Sequence, residues 1–222
     1  MGMHGTAADR PMHLDPDLEV DAIPRSSPDG FRGTLGQNGA AQTHLSNRGV
    51  GVGDLFLFFG LFRPVERKGA GWQWTGDQRH SVFGYLHVAE VLTPGSDGAA
   101  AARSHPWLAE HPHTGPDYQP NNAIYVASER LPDTLTDRPL PGWGVLRREH
   151  VLTRPGANTS EWSVPDWLHP DRGGDGMSYH PNPANWHAEG LTSAKRGQEF
   201  VADVGDRTDA RVWVRDLLMA CV

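Results

Sequence analysis

The sequence predicts an α+β fold dominated by strands, with short helices beside the sheet and one helix at the C-terminus. Three observations carry this. The composition, 37% hydrophobic with 26 Gly and 18 Pro in 222 residues, spreads the chain over many turns rather than long helices. Residues 36–91 then set out a small-residue helix, a Gly-Asp turn opening an aromatic strand, and a second strand, in that order. Near the end, Ala210, Trp213, Val214, Leu217, Leu218 and Cys221 recur at spacings of three and four, an amphipathic helix with Thr208 or Asp209 as its cap.

Taken in order, residues 1–35 mix Pro, Asp, Gly and Ser with few apolar residues, which predicts an extended or disordered surface segment with little core. Residues 36–222 read as a single domain with long loops. Residues 39–45 form a two-turn helix whose small side chains let it lie close to a sheet, and Gly49 offers the left-handed stop. Residues 55–59, Leu-Phe-Leu-Phe-Phe between Gly53-Asp54 and Gly60, are too short for a stable helix and predict a central strand buried on both faces. Residues 82–91 continue the sheet, with His87 facing a cavity or simply packing. Residues 92–120 are a long punctuated loop, a length that points to a lid or to disorder. Residues 123–128 give a third strand and 143–151 a fainter one, after which Trp162, Trp167 and Trp186 stand among Pro, Gly and Asn.

The single Cys221 excludes an intramolecular disulfide and every cysteine-based zinc site, consistent with a reducing compartment. No apolar run approaches the ~18 residues that span a bilayer and no signal core opens the chain, so the expectation is a soluble, cytoplasmic protein without a membrane partner. The formal charge of −7 argues against indiscriminate binding to duplex phosphate. Recognition of one unstacked base is still open, because it depends on stacking and edge hydrogen bonds and needs only a local basic rim. Arg63, Arg67, Lys68 and Arg79 supply such a rim or a solvated loop. No phosphate loop, dinucleotide fingerprint or nucleophile elbow occurs.

Four groups of residues carry candidate chemistry. His111-Pro112-His113 puts two imidazoles on the same side of an extended segment, where a divalent metal would be their cofactor if His180 or Asp117 added a third ligand; two histidines in a Pro-rich loop are otherwise inert. Asn121, Asn122 and Tyr125 sit at the mouth of a strand, where amides read a base edge and a ring stacks on a base, or where they serve as turn and core residues. Asp54 fits a turn hydrogen bond better than a catalytic carboxylate. Trp72 and Trp74 lie where an aromatic cage would stand, and most of the other tryptophans read as loop anchors.

The order of helix, Gly-Asp-opened strand and Gly-containing second strand resembles the EVE and YTH branches of the PUA-like barrels, whose members bind nucleic acid carrying modified bases. In motif wording the chain is closer still to the bacterial and phage nucleotide-modification-associated domain, third type, described as involved in DNA base hypermodification. The matching pieces are residues 13–18, 39–42, 53–60 with Phe62-Arg63, 111–113, 121–128, 178–180 and 196–201. Members of that family open with a Ser-Arg-Lys-Gly-Phe-Asp-like segment that has no counterpart here, so a truncated start is expected. The resemblance implies a PUA-like mixed barrel with flanking short helices and a C-terminal helix. It places Gln42 and His44 near a pocket for a modified base, the alternative being that Gln42 caps or buttresses the helix and His44 is a partly buried surface histidine. It also gives Gln198-Glu199 as a motif position that sets a carboxylate against a bound group or pairs with Arg196. The leading function is then a binding module for a modified base or nucleotide, read by Gln42, His44, Asn121, Asn122 and Tyr125 with Arg63 near the backbone. The alternative is a hypermodification enzyme, with His111, His113 and His180 as metal ligands or general acid/base groups and Glu199 polarising the substrate. A third reading is a structural subunit working with other DNA-modification proteins.

Overall fold

The computed structural model describes residues 15–19, 30–93, 103–115, 121–194 and 199–221. Asp117, Arg196, Gly197 and Gln198 lie outside the described residues. The centre is an antiparallel sheet curled into a half-barrel. Its strands are β1 (Thr34–Gln37), β2 (Leu55–Phe62), β5 (Arg79–Leu92), β6 (Ala123–Ala127) and β7 (Trp143–Val151), in the order β1-β6-β5-β2 with β7 also on β5. A hairpin, β3 (Val65–Lys68) with β4 (Gly71–Trp74), leaves the end of β2. A small sheet of β8 (Glu161–Trp162), β9 (Trp186–His187) and β10 (Gly190–Thr192) follows. The α-helices α1 (Gly39–Asn47) and α2 (Thr208–Cys221) stand beside these sheets.

β5 organises the curl. Its first half pairs with β2 on one edge and β7 on the other, and its last residues pair with β6. Phe83 is skipped in the pairing of β5 with both β2 and β7, and a second register shift at Val88/Glu90 lies where the pairing with β6 begins; such irregularities bend a strand. Because alternate residues face opposite sides of a strand, the sheet sorts its side chains into two layers. Phe56, Phe58, Leu86, Tyr125 and Leu35 face the concave side and pack with Leu45 of α1. Leu55, Leu57, Tyr85 and Leu146 face the other way and are covered by Leu217 and Leu218 of α2. Beyond β6, Ile124 and Val126 meet Trp107 and Leu108 of the segment that carries the two close histidines.

Three expectations are changed. β2 has apolar neighbours on both faces but ends the sheet order, so it is an edge strand and its residues are only partly buried. A continuous apolar run reports covered faces and says nothing about whether both edges are paired. Within residues 1–35, Asp17 pairs with Thr34 as a further antiparallel bridge, and Leu18 packs onto Gly84, where a Cβ would come within 2.4 Å of its Cδ1. That stretch therefore contributes buried residues to the barrel. Within the 92–120 loop, described residues form 3-10 turns at Pro106–Leu108 and Pro112–Thr114, packed on the sheet. Asp54 does make the turn, accepting from the Gly51 N–H at 2.8 Å. Trp107, Trp162 and Trp186 are buried anchors, whereas Trp72 and Trp74 are open to solvent.

Candidate functional site

α1 is seated on the concave face by polar contacts that use up several of the predicted reading groups. Tyr125 O–H donates to Gln42 Oε1 at 3.1 Å, and Gln42 Nε2 donates to Ser46 Oγ at 2.9 Å. Both Tyr125 and Gln42 are buried; burial raises the tyrosine pKa, and the bond to Gln42 opposes that rise. Asn38 makes no side-chain cap to the helix. Asn121 takes over from across the fold, accepting from the Gly39 N–H and donating to Gly39 O and Thr43 Oγ1. These residues position α1 against β6.

His44, on the same helix, reaches outward to the 178–180 segment. Its Nε2 lies 3.0 Å from Ser178 Oγ, and its ring stacks on Tyr179 with centroids 4.2 Å apart and planes at 29°. Tyr179 is 44% exposed and has φ +64°, a left-handed conformation that side-chain-bearing residues rarely adopt. Its neighbours hold it there. Ser178 donates its N–H to Val201 O and accepts from the Val201 N–H at 2.7 Å. His180 is buried, with Nδ1–H given to Ser178 O and Nε2 accepting from the Ala194 N–H at 3.1 Å. Burial lowers its pKa, and the Ser178 carbonyl acts in the opposite sense. Both ring nitrogens of His180 are thus engaged. On the adjoining segment, Glu199 Oε1 accepts from Gln37 Nε2 at 2.9 Å, at the β1 end that leads into α1.

The two close histidines lie on the opposite face of β1 and β6. Pro112 opens a 3-10 turn, so the segment is not extended and the rings sit 5.6 Å apart with planes at 62°. His113 lies flat against Gly36, where any Cβ would fall 2.4 Å from its Cδ2. Its Nδ1 bonds Asn122 Oδ1 at 2.6 Å, and Asn122 Nδ2 donates back to His113 O. His113 Nε2 faces Asp15 Oδ2 at 3.5 Å, and His111 Nε2 faces Asp17 Oδ2 at 3.7 Å. Asp15 also accepts from the Gly36 N–H at 3.3 Å. Each imidazole therefore meets its own carboxylate. Among the described residues no group of three or more His, Cys, Asp or Glu side chains is arranged to hold a metal ion.

The predicted residues thus fall into three places. His44, Glu199 and His180 gather on the concave side with α1, Gln42 and Tyr125; His111, His113 and Asn122 gather on the far face; Arg63 stands apart at the root of the β3–β4 hairpin, its Cζ 5.6 Å from the Trp74 ring centroid. Of the remaining rim cations, Arg79 is held by Glu149. Sequence reasoning passes over Tyr179, Gln37, Asp15 and Asp17 as site residues. Both aspartates and Tyr179 nevertheless lie inside the matching motif pieces at 13–18 and 178–180, which is the signal that could have found them.

The fold and these clusters define an α+β half-barrel in which two separated groups of polar and aromatic residues flank one pair of strands. The chain belongs to the nucleotide modification associated domain 3 family, whose model matches residues 2–203 of 222. Membership associates the protein with nucleotide modification. No curated protein and no solved structure matches the chain. No helix among the described residues is long and apolar enough to cross a membrane.

Proposed function

We propose that the protein serves DNA base modification by recognising a modified base or nucleotide at the rim formed by His44, Tyr179, Gln37 and Glu199. The observation that carries this reading is Tyr179: an exposed ring in a strained left-handed conformation, clamped by its buried neighbours and laid on an imidazole. Strain of this kind persists only where the surroundings over-determine it, and it clusters at functional sites. A planar base extends the His44–Tyr179 stack, while the Glu199 carboxylate and Gln37 amide offer an acceptor and a donor for a base edge. Gln42, Asn121 and Tyr125 act indirectly by fixing α1, whereas Asn122 fixes His113 on the far face and takes no part in this recognition. The partners are modified nucleic acid or nucleotide, together with other proteins of DNA modification.

The test is fluorescence anisotropy of short oligonucleotides, base-modified against unmodified, at near-physiological salt with metal chelated. The modified strand binds more tightly, and Tyr179→Ala removes the difference. Equal affinity for every modified and unmodified strand tried would sink the reading.

The enzyme reading has one observation in its favour, the pairing of His111 and His113 with Asp17 and Asp15, since a carboxylate orients an imidazole for proton transfer. It differs in its outcome: replacing both histidines with glutamine abolishes turnover in that case and leaves discrimination between strands intact in the first.

A further inference from the structure

The β3–β4 hairpin belongs to neither histidine cluster, and its composition is at odds with its exposure. All eight strand residues are exposed, Trp72 at 73% and Trp74 at 62%. A two-stranded hairpin alone in water is marginal, and bare indoles on one give it no core. The register pairs Val65 with Trp74 and Arg67 with Trp72. Cross-strand partners share a face, so Val65, Arg67, Trp72 and Trp74 form one side, while Glu66 and Gln73 turn to the other. Arg63 joins the first side over the Trp74 ring, braced by its Nε–H to Gly76 O at 3.1 Å. Exposed Leu61 and Phe62 lead into it from β2.

We propose that this face binds single-stranded nucleic acid, with bases on the two indoles and phosphates on Arg63 and Arg67, irrespective of base modification. The charge pattern selects that partner. The chain carries a net −7, yet among the strand residues of the hairpin this face holds Arg67, with Arg63 beside it, and no carboxylate, because Glu66 points away. Indole and guanidinium alternate along it, the combination by which sequence-tolerant single-strand binders hold a π-face and a backbone together. Two residues of strand set Trp72 and Trp74 about 6.6 Å apart, near twice the ~3.4 Å base repeat, so successive bases of an opened strand can alternate with the rings. This surface is separate from the Tyr179 rim and is proposed independently of it.

The experiment titrates a fluorescein-labelled unmodified oligo-dT with the full chain, at low and near-physiological salt, and compares Trp72→Ala/Trp74→Ala, Trp72→Phe/Trp74→Phe and Arg63→Ala/Arg67→Ala. The expected result is a loss of about tenfold in affinity per indole removed, with the phenylalanine variant retaining most of the binding. Removing the arginines makes the slope of log K against log salt shallower by about 0.7 for each phosphate no longer neutralised. In parallel, the modified-to-unmodified affinity ratio stays at the wild-type value in all three variants, so failure here and failure of the base-recognition reading are told apart. The proposal is overturned if wild type binds no oligo-dT at low salt, or if the alanine variant binds as tightly as wild type. A concentration-dependent dimer that Trp72→Ala/Trp74→Ala abolishes also overturns it, by making the hairpin an interface between copies.

Discussion

β1 and β6 carry two histidine clusters on opposite faces, and the two are built on contrary principles. On the far face, His111 and His113 are buried, each beside a carboxylate, with Asn122 holding His113 from two sides and Gly36 leaving room for its ring. On the concave side, His44 is half-buried under an exposed Tyr179 whose backbone is strained. The first cluster binds four separate chain segments to one another and presents little to solvent. The second holds one ring in an unfavourable conformation at the surface. Close packing of polar groups marks structure as readily as it marks chemistry, whereas strain held in place at an exposed aromatic has no structural benefit to explain it.

The sharpest way to break this contrast is to remove the far-face anchor. Asn122→Ala deletes both hydrogen bonds to His113 inside a buried cluster, at a cost of about 3 kcal/mol. Denaturant unfolding should show that loss, while the affinity ratio for modified over unmodified strands stays at its wild-type value in whatever protein remains folded. A ratio that fell with Asn122→Ala would join the two faces into one site.

The opposite result is expected at Tyr179. Glycine adopts φ +64° without strain, so Tyr179→Gly relieves the backbone while losing the stack on His44 and gaining entropy in the unfolded chain. These terms oppose one another, and the net change in stability is within about 1 kcal/mol. Ligand affinity falls about tenfold, the usual worth of one base-aromatic stack. A variant that bound normally but unfolded easily would make Tyr179 a structural residue after all.

How much of this contrast is legible in the chain follows the range of the interactions. α1, α2 and the strands β2, β5, β6 and β7 are readable because periodicity, a Gly-Asp turn and a C-terminal apolar stripe are local signals. The edge position of β2 is not, since edge pairing is decided by which distant strands arrive. His111-Pro112-His113 reads as extended; proline instead sets the first residue of a 3-10 turn and splits the rings. Asn121, Asn122, Gln42 and Tyr125 stand out in the sequence as purposeful polar and aromatic residues, but whether an amide faces a ligand or a helix depends on contacts such as Tyr125 to Gln42, 83 residues apart. Tyr179 lies in the 178–180 motif, but nothing local marks its ring as a site residue, because its backbone angle is imposed by Ser178 and His180 through Val201 and Ala194.

The smallest expected effect concerns how that clamp responds to acid. Burial holds His180 below its ordinary pKa, so the unfolded chain takes up a proton at this residue more readily than the folded one. The stability it contributes is complete above about pH 6.5, the value of an unperturbed histidine, and is lost as pH falls toward the folded pKa. Protonation also places an N–H on Nε2, directly against the Ala194 N–H that now donates to it. Two neutral contacts thereby become one contact and one repulsion, and the 178–180 turn loosens first. Thermal melts between pH 7 and 5 should show Tm falling, with His180→Gln lowering Tm throughout but flattening its pH slope. His80, His87 and His150 are lowered by burial as well and keep part of that slope in the variant. If His180→Gln left the slope unchanged, the acid response would belong to those other buried histidines, and the clamp around Tyr179 would not carry it.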